Sequence, residues 1–347
     1  MPRRPPAVAR VLERVTKTAR EHEMLSAGDL VLVACSGGPD SVCLLYSLWH
    51  LRRLFRIRLA VFHFDHDLRP DSAKDAAYVR TLAERLRLPF HLRAAEGEPT
   101  KGGSVEAWAT VARMNAANHV RRGIGASVTA EGHTLDDQAE TVLLNLVRGS
   151  GLEGIVGIDP GRAEHALIQP LFEVERMDVE AFCRALHLRP RRDPMNEDRR
   201  YLRAAIRHEV LPVLERETGR RVTRSIARTA DLLRGDRDEL FAVAVKAYED
   251  AVDGDRGRDV RIDAAKLRAL PGPVAGRVIR LAAYNLLSTD AAAPWSKAAI
   301  EAVLDLAEGR PGRRRDLPQG LKAVREKEYV RVSRVSPPSL APTSPET

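Results

Sequence analysis

The chain has 347 residues, 44% of them hydrophobic, with 56 lysines and arginines against 48 aspartates and glutamates, a formal net charge of +8. That length favours two domains over one, and the apolar share is too high for a disordered chain. No apolar run reaches the roughly 18 residues of a membrane span, the opening MPRRPPA lacks the apolar stretch of a secretory signal, and Cys35, Cys43 and Cys183 form no CxxC pair that would suggest a disulfide framework or a zinc site.

The default compartment is therefore a reducing cytoplasm. An excess of bases favours a polyanionic partner such as nucleic acid. GC-rich coding accounts for arginine in place of lysine, but not for bases outnumbering acids.

In chain order, residues 8–26 read as a lead-in helix. Residues 30–34 (LVLVA) form a continuously apolar run that suits a buried parallel strand. A helical pattern follows from 41 to about 54. Residues 58–64 (RLAVFHF) make the next strand, 71–87 an amphipathic helix and 89–94 a third strand. Helix 104–122, strand 127–131 and helix 135–148 continue the alternation. Strands alternating with helices predict a parallel sheet covered on both faces, an α/β fold. Past Gly149 the glycines at 151, 154 and 157 mark a loop. An extended piece at 167–171, a helix at 174–186, an arginine-rich loop at 188–200 and a helix at 201–217 kinked at Pro212 follow. Gly219 opens a long helical stretch to about 252, and DGDRGRD at 253–259 breaks it. Two helices, 273–287 and 294–308, a basic turn RPGRRR at 310–315 and strand-like pieces at 321–324 and 329–332 complete a smaller, mainly helical domain. The proline- and serine-rich tail, 336–347, reads as disordered. The domains expected are 1–218 and 219–335.

The most informative residues are Ser36, Gly37, Gly38, Pro39, Asp40 and Ser41, between a buried strand and a helix. Glycines let the backbone approach a ligand closely, and loop amides at a helix start face an anion. Ser36 and Ser41 add hydroxyl donors. Asp40 would repel phosphates unless it holds a Mg²⁺ that they share. No Lys-Ser or Lys-Thr pair follows, so this is not a Walker A loop, and GxGxxG is absent. A plain strand-to-helix turn draws on the same residue types.

A second motif, GHTLDDQAET at 132–141, sits at the end of the fourth strand. Asp137 shares a helix face with Glu140 or Thr141. Helix capping accounts for Asp136 alone. It does not account for His133 and Glu140 at the sheet end where ligands of open α/β sheets bind.

SGGPDS resembles the pyrophosphate loop of the N-type ATP pyrophosphatases, the PP-loop superfamily with its Rossmann-like catalytic domain. HTLDDQAET followed by LLNLVRGSGLEG resembles the lysidine synthetase family in particular. FDHDLRP at 64–70 is similar to that family's NHGLR segment, with Asp65 and Asp67 in place of Asn and Gly. VEAWATVAR at 105–113 is similar to an EAxARxxR helix: Arg113 matches the second arginine, and Thr110 stands where the first would be. DPMNEDRRYLRAAIR at 193–207 is similar to DxSNxDxxYxRNxIR, with Tyr201, Arg203, Ile206 and Arg207 matching and Met195 and Ala204 departing. From the residues alone, Tyr201 and Ile206 read equally as core, and Arg203 and Arg207 as a solvated helix face. The likeness is strong over 28–217 and thinner over 220–333, and the chain resembles a short form of the family.

The resemblance implies a tRNA-modifying ligase. ATP would lie over Ser36 to Ser41 with Arg113 as a phosphate contact, and Mg²⁺ would be held by Asp40 and Asp137. The wobble cytidine of an isoleucine tRNA with a CAU anticodon would be adenylated and then attacked by free lysine. His133, Asp137 or Glu140 would take the lysine proton. Arg203 and Arg207 would contact tRNA, the domain 219–335 would help bind it, and a homodimer is the candidate assembly. Three other readings are open. A tRNA thiolation enzyme of the same fold usually carries the CxxC pairs missing here. An amidotransferase-type synthetase needs an ammonia source. A non-catalytic nucleotide-binding module would bind ATP without releasing pyrophosphate.

Overall fold

The computed structural model describes residues 4–66, 72–95, 105–161, 166–191, 201–253, 259–287 and 295–335. Residues 67–70 of the FDHDLRP segment, 193–200 with Met195, and the tail from 336 lie outside the described residues. The chain divides into two compact units, Met1–Leu233 and Arg234–Thr347.

In the first unit, α1 (Pro6–Glu21) leads into β1 (Leu30–Ala34), α2 (Pro39–Phe55), β2 (Arg58–Asp65), α3 (Ser72–Leu86) and β3 (Phe90–Ala94). Next come α4 (Val105–Gly123), β4 (Val128–Ala130), α5 (Leu135–Val147), the short α6 (Leu152–Ile155), β5 (Leu167–Ile168) and α7 (Arg176–Ala185). The five strands form one parallel sheet in the order β3-β2-β1-β4-β5. Val31 pairs with Leu59 on one side and Val128 on the other, so β1 is central. Its buried, β-branched residues suit a strand covered on both faces.

Alternation sorts the side chains between two layers. Val31, Val33, Leu59 and Val61 pack with residues of α1, α2, α3 and α7. Leu32, Ala60, Phe62 and Phe64 turn the other way, onto Ala117 and Val120 of α4. This is the predicted Rossmann-like arrangement. Its strand order reverses between β1 and β4, and a crevice opens at such a switch point, outside the carboxyl ends of the two strands.

The helix expected at 201–217 is made in three pieces. α8 (Leu202–Ala205) runs into a π-helical turn (Ile206–Val210) and then α9 (Leu211–Thr218), with Pro212 in its first turn. The π-helical turn just before it puts the Leu211 amide on the Ile206 carbonyl, so the regular pairing is already interrupted where proline has no amide to give. Helix α10 (Val222–Ala251) follows.

The second unit has β6 (Val252–Asp253), β7 (Asp259–Asp263), α11 (Ala264–Ala269), α12 (Gly272–Leu287), α13 (Lys297–Glu308), β8 (Arg314–Leu317), β9 (Leu321–Arg325) and β10 (Tyr329–Arg334). Its sheet is antiparallel, in the order β6-β7-β10-β9-β8. Ile262, Leu267, Val278, Ile279, Val303, Val330 and Val332 build its core. Helices predominate, as expected, but the sheet is larger than the two predicted strands. The basic turn at 310–315 ends in edge strand β8, where Arg314, Arg315 and Asp316 are all exposed. An edge strand pairs through its backbone and can dispense with an apolar pattern.

Candidate active site

The turn after β1 enters α2 through Gly37, whose φ of 91° is left-handed and favours glycine. Pro39 begins the helix, where its fixed φ suits the first turn. Ser41 ties the loop together. Its hydroxyl accepts from the Ser36 amide at 3.1 Å, lies 3.1 Å from the Ser36 hydroxyl and donates to the Gly38 carbonyl at 3.1 Å. His63 Nδ1 lies 2.8 Å from the Cys35 carbonyl just upstream, and the Arg191 amide donates to the Gly37 carbonyl at 3.0 Å.

Gly132, after β4, fits against this loop. A Cβ added there would stand 3.1 Å from the Asp40 carbonyl carbon and 3.2 Å from the Ser41 nitrogen. The two sequence motifs are therefore in backbone contact at the switch point.

Thr134 caps α5 reciprocally with Asp137. Asp137 Oδ2 accepts from the Thr134 amide at 2.9 Å and its hydroxyl at 2.7 Å. Three guanidinium groups converge on the other oxygen: Arg176, Arg203 and Arg207 reach Asp137 Oδ1 at 3.2, 3.4 and 3.4 Å. The same three grip Glu140, which is fully buried. Arg207 holds it as a fork, Nε to Oε1 and a terminal nitrogen to Oε2, both at 2.7 Å, a bidentate geometry that strengthens the pair. Arg176 adds a bond of 2.9 Å and Arg203 one of 3.1 Å. Asp136 Oδ2 accepts from the Arg176 backbone amide at 2.7 Å, which fixes the start of α7.

These contacts set the acid strengths. Burial alone would raise Asp137, but Arg176, Arg203, His133 and the Thr134 hydroxyl outweigh it and hold its carboxyl at about 2. Burial likewise opposes ionisation of Glu140, and Arg207 and Arg176 bring it below the usual range. Asp40 goes the other way. Burial, then the Asp137 charge, push it up to about 7 against Arg176 and Arg207. Its Oδ1 is buried without a hydrogen-bond partner. An orphaned carboxylate oxygen of this kind fits a cation. Among the described residues no three His, Cys, Asp or Glu side chains form a metal cage. A Mg²⁺ at Asp40 would therefore draw most of its ligands from phosphates and water, as this ion commonly does.

Beside the carboxylates lies a polar chain at the ends of β4 and β5. His133 Nδ1 is 3.1 Å from Gln169 Oε1, Gln169 Nε2 is 3.5 Å from Glu131 Oε2, and Arg113 is 3.7 Å from Glu131 Oε1.

The structure thus gathers Ser36 to Ser41, His133, Asp137 and Glu140 around one sheet edge. It brings Arg113 to the same edge through Glu131. It also draws in Arg203 and Arg207, which bind carboxylates rather than lining a solvated helix face. Asp137, Glu140 and Thr141 share a face as expected, since Arg203 also reaches the Thr141 hydroxyl at 3.5 Å. Ile206 is core, whereas Tyr201 is exposed. Sequence reading missed Arg176, Gln169 and Glu131. Arg176 carried a signal: it is the first residue of α7, and a cation at a helix start opposes the dipole unless something else holds it there.

Comparison with known proteins agrees with this geometry. Residues 8–214 match the PP-loop domain family. The chain is 39% identical to a tRNA(Ile)-lysidine synthase from Salinispora tropica, over 85% of this chain and 88% of that protein. The chain belongs to the tRNA(Ile)-lysidine synthase family. A second member, from Thermobifida fusca, is 38% identical over 80% of this chain and 82% of its own length. A third, from Symbiobacterium thermophilum, is 38% identical over 90% of this chain, which spans 67% of that longer relative. Among solved structures, a U34-tRNA thiolase NcsA from Methanococcus maripaludis with its [4Fe-4S] cluster superposes with a TM-score of 0.56 at 20% identity, covering 66% of this chain and 79% of that one, a likeness of fold.

Proposed function

We propose that this chain carries out its family's reaction: ATP-dependent adenylation of the wobble cytidine of a CAU-anticodon isoleucine tRNA, then attack by free lysine to give lysidine, AMP and pyrophosphate. The observation that carries this reading is the backbone contact between Gly132 and Asp40–Ser41, which places the HTLDDQAET motif on the pyrophosphate loop. It is supported by 38–39% identity to the lysidine synthases.

ATP lies with its β- and γ-phosphates over Ser36 to Ser41, where loop amides and hydroxyls face anions. Asp40 is the residue that would hold Mg²⁺, which supplies charge neutralisation for the phosphates. Asp137 suits the role of negative neighbour better than that of ligand, because both its oxygens already accept hydrogen bonds from Thr134 and the three arginines. Arg113, only loosely paired with Glu131, is the arginine that can turn to a phosphate. Arg176, Arg203 and Arg207 instead offset the charges of Asp137 and Glu140 and so keep the site from repelling one. Charge placement is the main lever in phosphoryl and adenylyl transfer. The cytidine must be splayed out for its O2 to attack the α-phosphate. Pyrophosphate leaves, and C2 becomes electrophilic.

The lysine amine then needs to lose a proton, since its ordinary pKa is about 10.4. Asp137 and Glu140 are poor acceptors because the arginines keep them in the low range. His133 is partly exposed, and its Nε2 makes no hydrogen bond to the described residues, so we assign it the proton. The chemistry takes place in the cytoplasm, where the buried free thiols of Cys35, Cys43 and Cys183 face no oxidising milieu.

The test is direct. Labelled lysine, ATP and an isoleucine tRNA transcript are incubated with the protein, and label in the RNA is scored together with AMP and pyrophosphate. Label in RNA with equal AMP supports the reading. ADP as product, or sulfur incorporation instead of lysine, overturns it.

A further inference from the structure

We infer that Gln169 is a positioning residue that sets the tautomer and aim of His133. This rests on the reading of His133 as the proton acceptor, and it comes from counting donors and acceptors.

Gln169 follows β5 and is 2% exposed. Its backbone is tied on both sides: the amide donates to the Pro160 carbonyl at 2.9 Å, and the carbonyl accepts from the Phe172 amide at 3.0 Å. The side chain therefore leaves a fixed point. Its amide bridges Glu131 and His133. His133 Nδ1 is 3.1 Å from Gln169 Oε1 but 3.7 Å from Glu131 Oε2, beyond hydrogen-bond reach, so Gln169 is the partner that holds it. Glu131 is fixed in turn, because its backbone amide donates to the Ile168 carbonyl at 3.0 Å and its carboxylate faces Arg113.

A carboxylate beside an arginine only accepts, so the Gln169 group facing Glu131 must be the NH₂. The carbonyl Oε1 is then left for His133. A carbonyl also only accepts, so His133 Nδ1 must carry the proton. In a neutral imidazole one nitrogen donates and the other accepts. Nε2 is thereby the bare nitrogen, the one that makes no hydrogen bond to the described residues. Arg113, Glu131 and Gln169 form a relay of orientation that ends in a lone pair on His133. Ligating or catalytic histidines depend on such partners for tautomer and ring angle.

The experiment uses the full chain with ¹⁵N-labelled histidine, at a pH where the imidazole is neutral, together with Q169L, which keeps volume and removes both polar contacts. In the unmodified protein the His133 spectrum shows a protonated Nδ1 and a bare Nε2. In Q169L that signature shifts toward a mixture. Lysine transfer falls about 10–100-fold, while pyrophosphate release in the adenylation half-reaction stays within about twofold because His133 acts after it. The exchange E131Q/Q169E restores the pattern: the new carboxylate accepts from Nδ1, and the new amide donates to it. It regains most of the lost rate, which separates positioning from damage to the fold.

An unmodified protein protonated at Nε2, or a Q169L spectrum that does not change, overturns the inference about Gln169. A tautomer that shifts while lysine transfer is unaffected upholds the placement by Gln169 and overturns His133 as the base. Failure of the unmodified protein to form lysidine strikes the proposed function instead, and the spectrum can still be read.

Discussion

Glu140 is fully buried and Asp40 is half-buried with its Oδ1 out of solvent, and their surroundings push the two carboxyls in opposite directions. Asp40 has an oxygen with no partner and is pushed up to about 7, first by burial. D40N removes a charge that the fold does not satisfy. It is expected to leave the melting temperature unchanged or higher while AMP formation drops to background; normal turnover in D40N would refute the metal role. Glu140 is gripped by three arginines. Removing one partner of a buried ion pair costs about 3–5 kcal/mol, so E140Q should lose about 3 kcal/mol at pH 7, the lower end because the arginines keep some contact with water. The pH dependence has a definite sign. Glu140 has a folded-state pKa below its ordinary 4.5, so its contribution is complete above 4.5 and is lost as pH falls through the folded value. Urea denaturation at pH 7 and pH 3.5 should show the gap between the unmodified protein and E140Q narrowing on acidification; a gap that widens would contradict the arginine assignment. Asp40, Asp137 and Glu140 were legible because each lies in a compact motif. Arg176 was not, since its partners are about 40 positions away in sequence and 3 Å away in space.

Gly132 shows how elements, rather than residues, make the site. It joins the end of β4 to the start of α2, and a methyl group there would press on backbone that has little room to yield. G132A is expected to raise the Kd for the nucleotide at least about fivefold, a little under the tenfold of 1.4 kcal/mol, with little change in thermal stability. Isothermal titration with a non-hydrolysable ATP analogue measures it, and unaltered affinity would mean that the contact does not shape the loop. The same scale explains what could be read in advance. The parallel sheet was legible because β1 is apolar without interruption, β2 is so except for His63 between its terminal Arg58 and Asp65, and each is followed by a helix period. The strand β5, two residues long, was visible only as part of a longer extended piece. In the second unit β7 (DVRID) buries Val260 and Ile262 and exposes Arg261, a clear alternation, but it is short, flanked by charges and starts at the last residue of the turn-rich break 253–259, and no strand was expected there. The π-helical turn before α9 leaves no mark in composition. It includes Arg207, which shares a helix face with Arg203 four positions earlier, and both reach one carboxylate pair.

At the scale of the whole molecule the question is where the net charge of +8 acts. The sequence from Arg184 to Arg228 is rich in arginine, as a basic RNA surface would be, yet among the described residues much of that charge is taken up internally. Arg203 and Arg207 neutralise Asp137 and Glu140. Arg221 and Arg224 both reach the buried Glu175, Arg221 at 2.8 Å. Arg184 pairs with Glu180 on the same helix and Arg216 with Glu217, but both remain largely exposed. Exposed pairs of this kind are worth little, so those guanidinium groups can exchange a carboxylate for a phosphate, whereas arginines committed to buried acids cannot do so cheaply. The expected salt dependence of tRNA binding is therefore moderate. With four or five phosphates contacted and a slope of about −0.7 to −0.9 per contact, affinity should fall roughly 100-fold between 50 and 200 mM salt. Filter binding over that range gives the slope. A flat profile would remove this stretch as an RNA surface. A slope twice as steep would mean that the buried pairs on Glu175 and Glu140 open when RNA arrives, so that the acid cluster changes partners during the reaction.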